Sequence, residues 1–146
     1  MTEDHRSLEP NLYLTRVRAH QTDLNGAMYH GAFLDIFDDA RIETFRHLGY
    51  TYERLVRGGW TAIIRRVECE FYVPARMDDL LAISVRVEKL TSATMTLRYE
   101  CRRDAQLLAL AHAVFAFLDR QGKPTRVPAD LRQVVLDHEA LLSAAT

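Results

Sequence analysis

Asp23, Asn25, Gly26, Tyr29, His30 and Gly31 fall within nine residues of one another, and their types and order could do chemistry. Asp23 supplies a carboxylate in a loop whose Asn25-Gly26 pair is a turn signal. The loop runs directly into a helical pattern that starts near Tyr29. A helix start carries unpaired backbone N–H groups and the positive end of a dipole. An anionic group and an oxyanion-stabilising surface are thereby brought close together, a pairing that suits attack on an activated carbonyl. On spacing alone, Asp23 could equally serve to stabilise the loop or the helix start. His30 could bond a ligand, hold Asp23 or simply be solvated. Gly26 suits a turn that needs positive φ or a close backbone approach to a ligand.

The whole chain bounds what such a site could act on. Its 146 residues are expected to form one domain, 1–146, with a loose polar leader over about residues 1–10. Apolar residues make up 48% and charged residues 27%, ordinary globular usage that excludes fibrous and disordered classes. A net charge of −1 offers no overall attraction to nucleic acid. No apolar run reaches the ~18 residues of a membrane span, and the start lacks the apolar core of a signal peptide. Cys69 and Cys101 sit far from any Cys-x-x-Cys spacing and read as free thiols in a reducing cytoplasm. The six histidines show no ligand spacing, so no metal site is expected.

The elements that must hold the site follow from periodicity. Leu12–His20 reads as a first strand. From about Tyr29 to Leu48, Phe33, Ile36, Phe37, Ala40, Thr44 and Leu48 recur at three- and four-residue spacing on one helical face, and Gly49 supplies a stop. Arg41, on this helix, is expected to pair with Asp38 or with neighbours on the Glu43 side. From Trp60 to Leu118 the chain alternates with period two. Val67, Cys69, Phe71 and Val73 form one apolar row, Leu81, Ile83, Val85 and Val87 another, and Met95, Leu97, Tyr99 and Cys101 a third. The rows of Val67–Val73 and Leu81–Val87 are expected to pack the helix. Leu107–Leu118 is almost wholly apolar and reads as a central strand covered on both faces, with His112 inside the core or an interface. Turns are expected at Pro74–Asp79, Lys89–Ala93 and Arg103–Gln106. Pro128 and Asp130 open a short C-terminal helix. A five-stranded antiparallel sheet against one long helix is an α+β domain.

Thr22-Asp23, Asn25-Gly26, Tyr29-His30 and Ala40-Arg41 together resemble the pattern of the hotdog-fold thioesterases, in the 4-hydroxybenzoyl-CoA thioesterase-like branch. Phe71, Pro74, Asp79 and Leu81, and then Asp119, Gly122, Lys123 and Pro128, extend the resemblance over roughly residues 12–136. It implies a hotdog fold, the sheet wrapped around the long helix, and hydrolysis of an aromatic or short-to-medium acyl-CoA without a resident cofactor. Asp23 would attack the thioester or activate water, and the backbone N–H of His30 or Gly31 would receive the developing oxyanion. Asn25, Gly26 and Tyr29 would contact substrate. Arg65-Arg66, Arg102-Arg103 and Lys123 with Arg126 are candidates for the CoA phosphates, which the family holds across a subunit interface. A homodimer or homotetramer is implied. The chain departs from many relatives at Ala32 and Phe33, where they carry Asn and Tyr, and at Asp78, where they carry Gly. Two other roles remain for such a fold: acyl-thioester hydration or dehydration, and acyl-CoA binding without catalysis. The longer hydratase motif is missing, and a binder of an uncharged thioester would have no need of Asp23.

Overall fold

The computed structural model describes residues 12–145, with side-chain surroundings described through His138. The leader expected at 1–10 lies outside these residues. The elements are β1 (Leu12–Arg16), a 3-10 turn (Ala19–Gln21), α1 (His30–His47), α2 (Tyr52–Arg57), β2 (Thr61–Phe71), β3 (Leu80–Leu90), β4 (Thr94–Arg103), β5 (Gln106–Leu118), β6 (Pro124–Thr125) and α3 (Ala129–Ala145). The antiparallel sheet runs β1-β3-β4-β5-β2, and the two-residue β6 pairs with the end of β5. The expected hotdog arrangement is therefore present, with one short strand and the small helix α2 added to it. The first strand stops at Arg16, where the 3-10 turn intervenes.

Helix α1 buries Ala32, Phe33, Ile36, Phe37, Ala40 and Thr44, the face that the three- and four-residue spacing marks. It lies over the concave side of the sheet. Phe37 stacks on Tyr99 of β4 at 5.0 Å between ring centroids, and the Arg41 guanidinium covers the Phe115 ring of β5 at 5.0 Å. Arg41 also reaches Asp38 at 3.3 Å, as the spacing predicts. Leu81, Ile83 and Val85 of β3 close the core beneath. At the far end of the helix, the Tyr50 hydroxyl donates to Asp130 Oδ1 at 3.1 Å, which ties α3 to the turn after α1. Burial and the neighbouring Asp130 carboxylate push the Tyr50 phenol up to about 12.

Strand β2 corrects one expectation. Its apolar row packs the helix only in part: Cys69 and Val73 lie against the core and Phe71 meets Phe33 of α1, but Ile64 is 47% exposed, Val67 41% and Phe71 48%. The cause is position. β2 lies at the edge of the sheet, paired only with β5, while α1 packs chiefly on β1, β3, β4 and β5. A bulge at Arg65 shifts the register, so Ile64 and Val67 both face the concave side with Cys69 and Phe71. Strand β5 also differs from expectation. Its inner residues are buried, but His112 and its alternates face outward and are only half covered. His112 pairs with Glu88 at 2.8 Å, beside the Arg98–Glu100 and Arg102–Glu100 ion pairs, on a charged outer face.

The Asp78 position explains itself. Its φ is +71°, a left-handed conformation that costs an L side chain energy that glycine is spared. Its N–H is held by Val17 O at 2.9 Å and its carbonyl by Arg16 at 2.7 Å, so the conformation is fixed from both sides. Asp78→Gly should stabilise the fold by about 0.5–1 kcal/mol, read as a rise of about 2–4 °C in Tm by thermal unfolding.

Candidate active site

The site is built on a miniature hairpin between β1 and α1. Thr22 bridges Met28, the Asp23 N–H donates to Ala27 O at 2.8 Å, and the Gly26 N–H donates to Asp23 O at 3.1 Å. Gly26 has φ +78°, which meets the expectation that this turn needs a glycine. The returning arm is anchored to the turn before β3: Met28 N–H donates to Ala75 O at 2.7 Å, and Ala27 bridges Arg76. At the base, Tyr29 N–H donates to Gln21 O at 3.0 Å, and the chain enters α1.

Asp23 is exposed, with its two carboxylate oxygens in different situations. Oδ1 accepts the backbone N–H groups of Asn25 at 2.8 Å and Ala27 at 3.2 Å, holding the turn. Oδ2 meets no donor among the described residues. One oxygen of Asp23 is thus committed to the turn and the other is left open.

Tyr29 caps α1 with an extended backbone but makes no side-chain cap bond, and no acidic residue stands in the first turn. The positive end of the helix is therefore left without a compensating anion. The His30 and Gly31 N–H groups meet no acceptor among the described residues, whereas Ala32 N–H already donates to Tyr29 O. The Tyr29 ring lies edge-on to His30 at 6.3 Å and folds over Gly31. A side chain at Gly31 would meet Tyr29 Cε2 at 2.6 Å, so only glycine allows that ring to lie there.

Beside this helix start is a hollow of about 350 Å³ lined by Ala27, Met28, His30, Phe33, Phe71, Tyr72, Val73 and Pro74. A larger groove, about 710 Å³, runs between β1 and α1 past Asp39, Glu43 and His47. Partial burial, then the nearby carboxylates of Asp35, Asp38 and Glu43, push the Asp39 carboxyl above its ordinary value. Such a carboxylate-lined groove would repel a phosphate-bearing ligand. The smaller hollow combines apolar walls with the helix start.

The predicted cations are not all gathered here. Arg65 stands six residues along β2 from Phe71, about 20 Å of extended chain, and Arg66 is engaged by Glu68. Lys123 lies beyond β5, before β6, and Arg126 just after it. Arg103 is brought near, but as a support: it donates to Asp79 Oδ2 at 2.6 Å and to Pro74 O at 3.4 Å. Arg76, whose backbone pairs with the hairpin, is the cation that sequence reading missed. Nothing in the sequence marks it, because the bridge to Ala27 is a tertiary contact.

The Asp79–Arg103 pair fastens the turn that holds the hairpin. Partial burial alone would raise the Asp79 carboxyl, but the Arg76 N–H and the Arg103 guanidinium outweigh it and hold the pKa below the ordinary carboxylate value. The stability this pair contributes is present above pH 4 or so and is lost as pH falls through the lowered value. Asp79→Asn should cost about 1 kcal/mol at pH 7 in denaturant unfolding, and the gap to the native chain should close at more acid pH.

A cysteine nucleophile does not fit. Burial pushes the Cys69 thiol up to about 11 and Cys101 to about 12, so both stay protonated at neutral pH. Among the described residues no three metal-ligating side chains cluster, and no helix is long and apolar enough to cross a membrane.

Residues 17–135 match the family model described as the thioesterase-like superfamily. The acyl-CoA thioesterase YbgC of Haemophilus influenzae is 29% identical over 119 residues, covering 80% of this chain and 88% of that protein. A probable thioesterase from Bartonella henselae superposes with a TM-score of 0.75 at 30% identity, covering 80% of this chain and 98% of the other. A hypothetical protein from Aquifex aeolicus reaches a TM-score of 0.82 at 25% identity, over 85% of this chain and 98% of its own.

Proposed function

We propose that this chain, which belongs to the thioesterase-like superfamily, hydrolyses acyl-CoA thioesters to a carboxylic acid and CoA. The reading is carried by one short segment that holds both an Asp23 Oδ2 without a donor among the described residues and, seven and eight residues on, the unpaired N–H groups of His30 and Gly31 at the start of α1. The thioester carbonyl oxygen would be received by one of these N–H groups. Charge that builds on this oxygen as the tetrahedral centre forms is favoured by the helix dipole, an effect worth ~10²–10³ in rate per donor. Asp23 Oδ2 acts as the nucleophile or takes a proton from the attacking water. The thiolate of CoA leaves as the carbonyl re-forms, giving the acid directly when water attacks, or an acyl anhydride on Asp23 that water then cleaves to the acid and the free carboxylate when Oδ2 attacks. Water is the only co-reactant needed, so no cofactor enters. The name of the Haemophilus relative supports acyl-CoA as the substrate. The aromatic-lined hollow supports an aromatic or short-to-medium acyl group. The setting is the reducing cytoplasm that two unpaired thiols suit.

Assembly belongs to the same reading. β2 leaves an 11-residue edge unpaired, and its concave face shows the exposed Ile64, Val67 and Phe71. An edge this long and apolar calls for a partner strand. A second copy pairing β2 with β2 in antiparallel fashion would cover it in an isologous dimer. Such pairing, centred near Val67, sets Arg65 and Arg66 of one strand beside the middle of the other, so these arginines could meet CoA phosphates at the interface. A homotetramer would stack two such dimers.

The test is release of free CoA thiol from aliphatic and aromatic acyl-CoAs by the purified chain. Turnover of at least one acyl-CoA supports the reading. Tight binding without thiol release would replace it with a binding role, for which the loop-holding Oδ1 of Asp23 would suffice.

A further inference from the structure

The walls of the hollow beside the helix start say more about the acyl group than its size does. Phe33 is 3% exposed and meets Phe71 edge to face, with ring centroids 5.3 Å apart. Val73, Met28 and Pro74 add apolar surface. The Tyr72 hydroxyl, the only one on the wall, donates to Glu70 Oε2 at 3.1 Å and is committed there. The remaining side-chain donor is the His30 ring, exposed at the mouth next to the helix start. Beyond the His30 ring and the committed Tyr72 hydroxyl, the walls that this chain's described residues supply offer no side-chain partner to a hydroxyl, amine or carboxylate on the acyl group.

We infer that the Phe33–Phe71 pocket makes this enzyme selective for acyl groups without polar substituents: plain aryl, arylalkyl or short branched alkyl chains. The inference rests on the thioesterase reading and narrows its substrate class. A polar substituent carried into such walls loses its water and finds no replacement bond. An apolar pocket rejects an added hydroxyl only moderately, by about ten- to a hundredfold in kcat/KM. A single aromatic ring is well within the available space, since a closed cavity of about 150 Å³ already holds benzene.

The experiment compares kcat/KM for thiol release from matched pairs: benzoyl-CoA with 4-hydroxybenzoyl-CoA, phenylacetyl-CoA with 4-hydroxyphenylacetyl-CoA, and butyryl-CoA with 3-hydroxybutyryl-CoA. The native enzyme should favour the unsubstituted member of each pair at least tenfold. Phe33→Tyr, which adds one hydroxyl to the wall, should reduce the aryl ratios at least threefold, and Phe33→Leu should keep them above tenfold. Native ratios within threefold of unity, or reversed, overturn the selectivity and leave the thioesterase reading standing. Absence of thiol release from all six substrates overturns both.

Discussion

Asp23→Asn should lower kcat for thiol release by ~10²-fold or more while leaving the fold and the KM nearly unchanged. The substitution is informative because of how the two oxygens are used. An asparagine keeps an amide oxygen where Oδ1 accepts the Asn25 and Ala27 N–H groups, so the hairpin should survive. What disappears is the negative charge and the carboxylate oxygen that the loop does not use. A residue that only held the turn would tolerate this exchange with a change in rate of less than about threefold. Asp23→Ala would also lose the two loop contacts, and its larger fall in Tm would separate the structural share from the chemical one. Parallel kcat, KM and Tm measurements on the two variants check both shares.

The second large effect is expected at the sheet edge. Val67→Asp puts a carboxylate on the concave face of β2, near the middle of the strand, where an antiparallel self-pairing brings the two copies of the residue close together. Two like charges in a desolvated contact cost several kcal/mol, enough to dissociate a dimer of ordinary affinity. Light scattering on the eluting peak should show the native chain as a dimer or larger and the variant as a monomer. Activity should fall at least tenfold with the loss of assembly, because the open side of the hollow and its nearest arginines would then lack their neighbour. A native chain that is monomeric and active would remove the interface from the account. The variant should remain folded, since Val67 is already 41% exposed within one copy.

Much of this architecture is readable from residue spacing, and the misreadings share a physical cause. The buried face of α1 and the inner rows of β3 and β4 follow directly from periods of 3.6 and two. β2 has the same apolar alternation as β3, yet its apolar face is left partly open. Periodicity reports which side of a strand is apolar, and only strand order reports what covers it. The apolar run around His112 predicts a core or interface position, and the structure excludes the core. Alternation turns it outward to Glu88, a pairing set by two strands distant in sequence. Helix α2 escaped notice because only Leu55 of its six residues is buried, too little for a periodic signal. Its one local clue is Thr51, whose hydroxyl accepts the Arg54 N–H as a cap.

At the site, the residue types were legible and the division of labour was not. The carboxylate, the turn glycine and the helix start are all written in residues 22–31. That one oxygen of Asp23 is spent on the loop, that Arg76 flanks the hairpin and that Asp79 with Arg103 fastens it from behind depend on contacts between distant segments. Local sequence cannot encode such contacts one residue at a time.

The central claim is hydrolysis, and turnover of an unsubstituted acyl-CoA in oxygen-18 water tests it most directly. The account predicts free thiol and carboxylic acid in equal amounts, with one solvent oxygen in the acid. An acyl-CoA recovered intact and still bound, or one that has gained water on its acyl chain with the thioester unbroken, would contradict it.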